Sequence, residues 1–257
     1  MEEYFCEELL PFIPGVLVSG RSDVGKVRKV NEDSFAVSAT AGLLVVADGI
    51  GGHGQGDRAS SLAVHTMTDS LRVDPSRDPG VEAVHVLEDA VRAANECIYA
   101  ENQRHGITQG SGMGTTLSGL WISPEYRSKG LALIFSVGDS RVYRLRRNTL
   151  EQLTRDHSLY QEWLDSDRIR KAPPRNVITR SVGIFPEVKP DMMLIDILKN
   201  DVFVICSDGL TSMVDDDEIL GALSADTSVC RKSASLVATA IDRGGRDNVT
   251  VIVAACR

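Results

Sequence analysis

Five acidic clusters stand at the ends of strand-like runs, each within or beside Gly, Ser or Asn. Leu43–Ala47 runs into Asp48-Gly49, and Leu131–Val137 runs into Gly138-Asp139. Val202–Cys206 runs into Ser207-Asp208-Gly209. Asp247-Asn248 opens the last strand, and Asn31-Glu32-Asp33 opens an early one. A single Asp-Gly after a strand reads as a turn. Five such clusters are harder to assign to turns, because strand ends hold side chains rigidly and loops at one end of a sandwich can converge. Converging carboxylates repel, so they protonate or a cation neutralises them. Oxygen-only ligands suit Mg²⁺, Mn²⁺ or Ca²⁺, and no His or Cys cluster competes for zinc. A glycine after a ligand aspartate allows close backbone approach, so the Gly49 carbonyl is a further candidate ligand. Two such ions roughly 4 Å apart can hold a water and aim it at a phosphoryl or acyl centre. An anionic substrate then needs a positive clamp. Arg28 stands four residues before Glu32. Its spacing fits a bidentate grip on phosphate and simple pairing with a neighbouring acid about equally.

The elements that must position these groups are short strands at Phe35–Ser38, Leu43–Ala47, Thr116–Ile122, Leu131–Val137, Val142–Leu145, Met193–Ile197, Val202–Cys206 and Val249–Ala254. Leu43–Ala47 and Val202–Cys206 are solidly apolar, as if buried on both faces. Helical spacing covers about Arg58–Leu71, Val81–Glu101 and Val229–Ile241. In the second, Val84, Leu87, Val91, Ala94 and Ile98 recur at steps of three and four, after an Asp78-Pro79 start signal. Gly244-Gly245 closes the third. This order lacks the alternation of a parallel doubly-wound sheet. It predicts an α+β layered fold with antiparallel sheets at its centre. Ser158–Arg175, charged and carrying Pro173-Pro174, reads as a surface excursion; such excursions are often functional.

Composition bounds the answer. The chain has 257 residues, with 28 Lys+Arg against 36 Asp+Glu and a net charge of −8. That balance argues against a general nucleic-acid binder, which needs a basic face. No apolar stretch is long enough to span a membrane. Met1–Pro14 carries four Glu and no Lys or Arg, so it does not read as a secretory signal. Cys6, Cys97, Cys206, Cys230 and Cys256 are scattered without a C-x-x-C pair. They predict reduced thiols in a cytoplasmic protein.

Eight motifs in order carry a resemblance. They are Arg21-Ser-Asp-x-Gly-x-x-Arg28-x-x-Asn-Glu-Asp33-Ser, Val46-Ala-Asp48-Gly49-Ile-Gly-Gly-His53, Met113-Gly-Thr-Thr116 and Val137-Gly-Asp139-Ser-Arg141. Leu153-Thr-x-Asp-His157-Ser, Asn176-Val-Ile-Thr-Arg180, Cys206-Ser-Asp208-Gly209-Leu210 and Arg246-Asp247-Asn248-Val-Thr250 follow. Together they resemble the metal-dependent PPM family, the type 2C Ser/Thr protein phosphatases, in its bacterial branch, over roughly Val18 to Ala254.

The resemblance implies a β-sandwich of two antiparallel sheets flanked by helices, a four-layer αββα arrangement. Residues 1–15 would be an acidic N-terminal extension. Residues 16–257 would be a single phosphatase domain with a short flap at about 156–180. It implies two Mn²⁺ or Mg²⁺ ions and a third in bacterial members. Asp48 would bridge two ions and Gly49 would lend its carbonyl. Asp208 and Asp247 would complete the first shell. Glu32 and Asp33 would hold the second ion, directly or through water, and Asp139 with Asp208 would match the third site. Arg28 would bind substrate phosphate, and Asn248 would orient Asp247 and its loop. His53 would protonate the leaving oxygen, cap the following helix or bind a nearby water. His157 would anchor the excursion; Arg141 and Arg180 would be structural ion-pair partners. Leu159, Trp163 and Leu164 of the flap would form an apolar contact for a peptide or, the preferred reading, for the protein's own body.

The expected activity is hydrolysis of phosphoserine and phosphothreonine by a metal-bridging hydroxide. The enzyme would be a cytoplasmic monomer acting on phosphorylated proteins and opposing a Ser/Thr kinase, with no nucleic-acid partner and no membrane span. The rivals are a catalytically silent pseudophosphatase module and a small-molecule phosphoesterase on the same site.

Overall fold

The computed structural model describes residues 3–7, 15–51, 55–72, 82–107, 109–168 and 171–257. The chain enters through β1 (Glu3–Glu7), β2 (Val16–Asp23), β3 (Asp33–Ser38) and β4 (Leu43–Ile50). Helices α1 (Gly56–Ser70) and α2 (Ala83–Arg104) follow. Next come β5 (Gly114–Thr115), β6 (Leu117–Trp121), α3 (Pro124–Arg127), β7 (Leu131–Val137), β8 (Arg141–Arg146) and β9 (Thr149–Gln152). The excursion holds α4 (Leu159–Asp165). The chain closes with β10 (Asp191–Asp196), β11 (Val202–Cys206), α5 (Asp208–Thr211), α6 (Asp216–Ser224), α7 (Val229–Asp242) and β12 (Val249–Cys256).

These strands form two sheets. One runs β1-β2-β12-β11-β8-β9; the other runs β10-β7-β6-β4-β3, with β5 paired to β4. Their pairings are antiparallel. Strand pleating explains the solid apolar runs, because successive side chains point to opposite faces. Leu43, Val45 and Ala47 pack with Ala59, Met67, Leu87 and Val91 of α1 and α2. Leu44 and Val46 face the other way, against Phe203, Ile205 and Ile252 between the sheets. Val204 and Cys206 turn outward to Ile219, Leu236 and Val237 of α6 and α7. Three apolar seams thus bind four layers, helix on sheet on sheet on helix, as expected. Each fully buried Val or Leu contributes about 1.5–3 kcal/mol.

The structure adds elements that the apolar pattern does not show. Ser19 and Ser22 break the run in β2, yet both are buried. Their hydroxyls bond to Ser233 of α7 and to Thr250 of the neighbouring strand β12. A capping box of Asp215 and Glu218 starts α6. The acidic segment Glu3–Glu7 pairs with β2 and so extends its sheet. Asp78-Pro79 lies outside the described residues. Cys230, at the start of α7, is disulfide-bonded, which overturns the expectation of uniformly reduced thiols. Scattered spacing in sequence does not reveal which cysteines a fold brings together. Cys97, Cys206 and Cys256 are free.

Candidate active site

The two sheets present their strand ends to one another. β3 pairs with β4 so that Asp33 lies directly opposite Asp48. Asp208 follows β11, and Asp247 precedes β12, the partner of β11. Asp139 sits in the turn between β7 and β8. Backbone contacts leave little freedom here. A Cβ on Gly49 would come within 2.1 Å of the Gly56 carbonyl and 2.5 Å of the Glu32 carbonyl. Gly138 has φ +102°, and a Cβ there would run into the Thr116 side chain.

Electrostatics record the crowding. Burial pushes the Asp48 carboxyl well above the usual range, and Asp33, Asp208, Asp139 and Asp247 push it further. Burial raises Asp33 as well; hydroxyl donation from Thr250 and Ser207 opposes the rise, and Asp208 and Asp247 add to it. Asp139 is pushed up to about 7 by burial and by Asp208. Asp208 is raised by burial and Asp247, and held back by its hydrogen bond with Asp48. Mutual repulsion of this kind is relieved by protons or by a cation.

The donor chemistry fits hard divalent cations. Asp33 Oδ1 and Asp139 Oδ1 are buried with no hydrogen-bond partner. Such atoms are costly unless something binds them. All candidate donors are oxygens. Among the described residues, no three His, Cys, Asp or Glu side chains are placed as they stand to hold one ion. Instead Asp48 and Asp208 bond to each other.

The surroundings hold each acid in place. Asp33 Oδ2 accepts from Ser207 Oγ at 2.7 Å and Thr250 Oγ1 at 2.6 Å. Glu32 Oε1 accepts the Gly56 amide at 3.2 Å. The Asp48 amide donates to Thr116 Oγ1 at 2.9 Å. The Asn248 side chain reaches the 24–32 loop, while its backbone amide donates to Asp247 Oδ1 at 2.9 Å. Its Oδ1 accepts the Glu32 amide at 2.8 Å, and its Nδ2 donates to the carbonyls of Val24 and Val30. Ser207, Thr250 and Ser140 had no role assigned from sequence, although all lie inside the quoted motifs. Their signal is the hydroxyl next to an acidic strand end.

Arg28 pairs with an acid, but not with a sequence neighbour. Its Nη2 donates to Asp247 Oδ2 at 2.8 Å, so its acidic partner is neither Glu32 nor Asp33. The chain reversal around Gly25 brings Asp247 nearer than those sequence neighbours. Arg28 remains half exposed and open to an anion. His53 lies outside the described residues. Arg141 grips Asp156 through both guanidinium edges, and Arg180 pairs with Asp191, both as expected. The flap departs from expectation. None of α4 is buried. Trp163 packs on Tyr160, with ring centroids 5.6 Å apart, within the flap itself.

Comparison with known proteins agrees with this fold. A family model described as protein phosphatase 2C matches residues 24–241. The serine/threonine phosphatase stp of Listeria welshimeri is 35% identical over 243 residues, 91% of this chain and 93% of that protein. The crystal structure of the Mycobacterium tuberculosis serine/threonine phosphatase PstP/Ppp aligns with a TM-score of 0.82 at 34% identity, covering 94% of this chain and 99% of that one. The catalytic domain of PstP in complex with two manganese ions aligns at 0.80 with 35% identity, covering 93% and 97%. The chain belongs to the protein phosphatase 2C family.

Proposed function

We propose that the protein is a metal-dependent phosphatase that hydrolyses phosphoserine and phosphothreonine in proteins. The observation that carries this reading is the pocket of repelling carboxyls with two unpartnered buried oxygens, bordered by the half-exposed Arg28. Asp48, the Gly49 carbonyl, Asp208 and Asp247 would hold one Mn²⁺ or Mg²⁺. Asp48 with Glu32 and Asp33, directly or through water, would hold a second. Asp139 and Asp208 would take a third. When bound, the ions supply activation of an attacking water and screening of the phosphoryl oxygens.

This chain's own residues do the rest. Arg28 forks onto the phosphate oxygens and orients phosphorus for in-line attack. Asn248 keeps the Asp247 turn against the 24–32 loop, so anion clamp and acidic wall stay in register. Water enters, the ester P–O bond breaks, and the Ser or Thr oxygen leaves with a proton. That proton comes from water or from His53. The Cys206 thiol takes no part: it is fully buried and burial pushes it up to about 12.

Residues 16–257 act as one domain with the flap at about 156–180, and the acidic segment at 1–15 adds its edge strand β1 to that domain's sheet. The protein acts as a monomer in the cytoplasm, against a Ser/Thr kinase. Among the described residues, no helix is long and apolar enough to cross a membrane. The Cys230 disulfide is the feature that speaks against a reducing compartment. The test compares rates on a phosphothreonine peptide and a small aryl phosphate. Hydrolysis of the peptide should stop on chelation and return with Mn²⁺, more weakly with Mg²⁺. Full activity after exhaustive chelation overturns the reading, and preference for the small ester alone overturns the protein substrate.

A further inference from the structure

Beside the acidic pocket lies a second hollow that the chemistry above does not use. It is an open trough of about 640 Å³, a size that suits a ligand. One wall is β3 and the other is α1. Asp57, Ser61, His65 and Thr68 line the helix side. Steps of four, four and three put them on one face of α1. Asp33, Ser34 and Phe35 line the strand side. Successive side chains of a strand point to opposite faces, so a hollow touched by three in a row runs along the strand's edge. That edge is open: β3 ends its sheet, with β4 as its one strand partner among the described residues. Both walls start at the acidic pocket. Asp33 stands opposite Asp48, and the Gly56 amide donates to Glu32 Oε1 at 3.2 Å. The walls are also tied to each other. Ser34 Oγ and Ser60 Oγ lie 2.9 Å apart, and Ser60 Oγ donates to the Glu32 carbonyl at 2.6 Å. The trough is therefore built before anything enters it, which lowers the ordering cost of binding. Thr68 follows Asp57 by eleven residues, so the trough is about 16 Å long at about 1.5 Å per residue. That length takes about five residues of extended chain. Its charge is one-sided. Asp33 and Asp57 line it, and no described Lys or Arg does. Asp33 is a candidate ion ligand, which leaves Asp57 as the anion that faces a ligand. Asp57 Oδ1 accepts the Arg58 amide at 2.7 Å, and no described Lys or Arg side chain pairs with it.

Building on the phosphatase reading, we propose that this trough binds the substrate chain beside the phosphorylated Ser or Thr, as an extended segment laid along the open edge of β3 with a substrate Lys or Arg on Asp57. Backbone bonds to the strand edge grip any sequence, as in strand addition, and Asp57 selects the basic one. The near end of the trough is the wall of the acidic pocket, so the basic residue falls within about three residues of the phosphate.

The experiment uses the full chain in saturating Mn²⁺. The substrates are phosphothreonine peptides with Arg before the phosphosite, Arg after it, or Glu on both sides, and a small aryl phosphate for reference. The better Arg peptide should exceed the Glu peptide in kcat/KM by about three- to tenfold, the size of a partly sheltered charge-assisted contact, and mostly through KM. Asp57→Asn should level the two, and Asp57→Lys should invert their order. Ser61→Trp fills the trough and leaves its charge alone, so it should lower kcat/KM for the peptides relative to the aryl phosphate. Parent rates that ignore the flanking charge overturn the proposal. So does an Asp57→Lys variant that keeps the parent's order, or a Ser61→Trp variant with the parent's ratio of peptide to aryl phosphate. Ser61 is exposed, so its variant decides the matter if the Asp57 variants do not fold. Anisotropy of the same peptides, labelled and without phosphate, reads the trough apart from the chemistry. The parent should hold the better Arg peptide more tightly than the Glu peptide, and Asp57→Asn should not. A parent that makes this distinction yet leaves phosphopeptides intact sinks the phosphatase reading and leaves the trough standing. A parent that hydrolyses phosphopeptides without making it keeps the phosphatase and loses the trough.

Discussion

Arg28 and Asp247, 219 residues apart in sequence, are joined by a 2.8 Å hydrogen bond at the mouth of the acidic pocket. Asp247 is a candidate ion ligand and Arg28 a candidate phosphate clamp, so each holds the other while neither has its working partner. Removing one should therefore be felt at the other's ligand.

Arg28→Ala should weaken inhibition by free phosphate and lower kcat/KM on every phosphorylated substrate. A charge-assisted contact contributes about 1.5–3 kcal/mol, so the fall should be about ten- to a hundredfold. Lys at this position should rescue only part, lacking the planar fork. Mn²⁺ should bind the Ala variant more tightly, because Asp247 loses a competing cation. Unchanged phosphate inhibition would remove Arg28 from the substrate site.

Asp208→Asn keeps the shape of a side chain that is raised by burial and Asp247 and bonded to Asp48. With ions present, turnover should fall by orders of magnitude while circular dichroism stays native. In chelator the variant should melt higher than the parent, since one member of the repelling set is gone. Near-normal turnover would make Asp208 a turn residue only.

The chelated protein should lose stability as pH rises. Asp139 keeps its proton up to about 7 in the fold, whereas an unfolded Asp releases it near 4. The native state thus binds more protons across that window, and its advantage is full below about 4 and lost as pH climbs through about 7. Thermal melts in chelator at pH 5 and pH 7.5 should show the decline. Added Mn²⁺ should reverse it most strongly at the higher pH, where it competes with fewer protons. A chelated melting point that rises from pH 5 to 7.5 contradicts this account.

Asn248→Ala should destabilise the protein by about 1–3 kcal/mol, because the part-buried Glu32 amide and the Val24 and Val30 carbonyls lose their partner. Asn248→Asp should recover little: a carboxylate accepts from Glu32 but cannot donate to the two carbonyls. Urea unfolding measures both. A loss below about 0.5 kcal/mol, the size of an ordinary surface change, would mean the loop is held elsewhere.

Residue type and spacing pointed to oxygen ligation of hard cations, and the ordered motifs, through their family resemblance, to phosphate ester hydrolysis. Alternating burial requires both faces of Leu43–Ala47 and Val202–Cys206 to be covered, which implies layers on either side of the sheets. Acids at the strand ends imply oxygen ligation, and no Cys or His pattern offers another chemistry. Local pattern was less informative where polar residues are buried. Ser19 and Ser22 hide β2 because the partners that let their hydroxyls be buried include Ser233 and Thr250, more than two hundred residues away.

Only the tertiary structure decided which charges meet. Arg28 chose Asp247 over Glu32 and Asp33, because antiparallel pairing of β2 with β12 sets Asp23 opposite Val249 and carries both loops to one end. The same closure gave Asp33 two hydroxyl donors from Ser207 and Thr250, and put the flap's His157 against the turn of Asp139. Such partners are absent from any sequence window, since spacing records proximity along the chain and these contacts arise from strand register across the sheets.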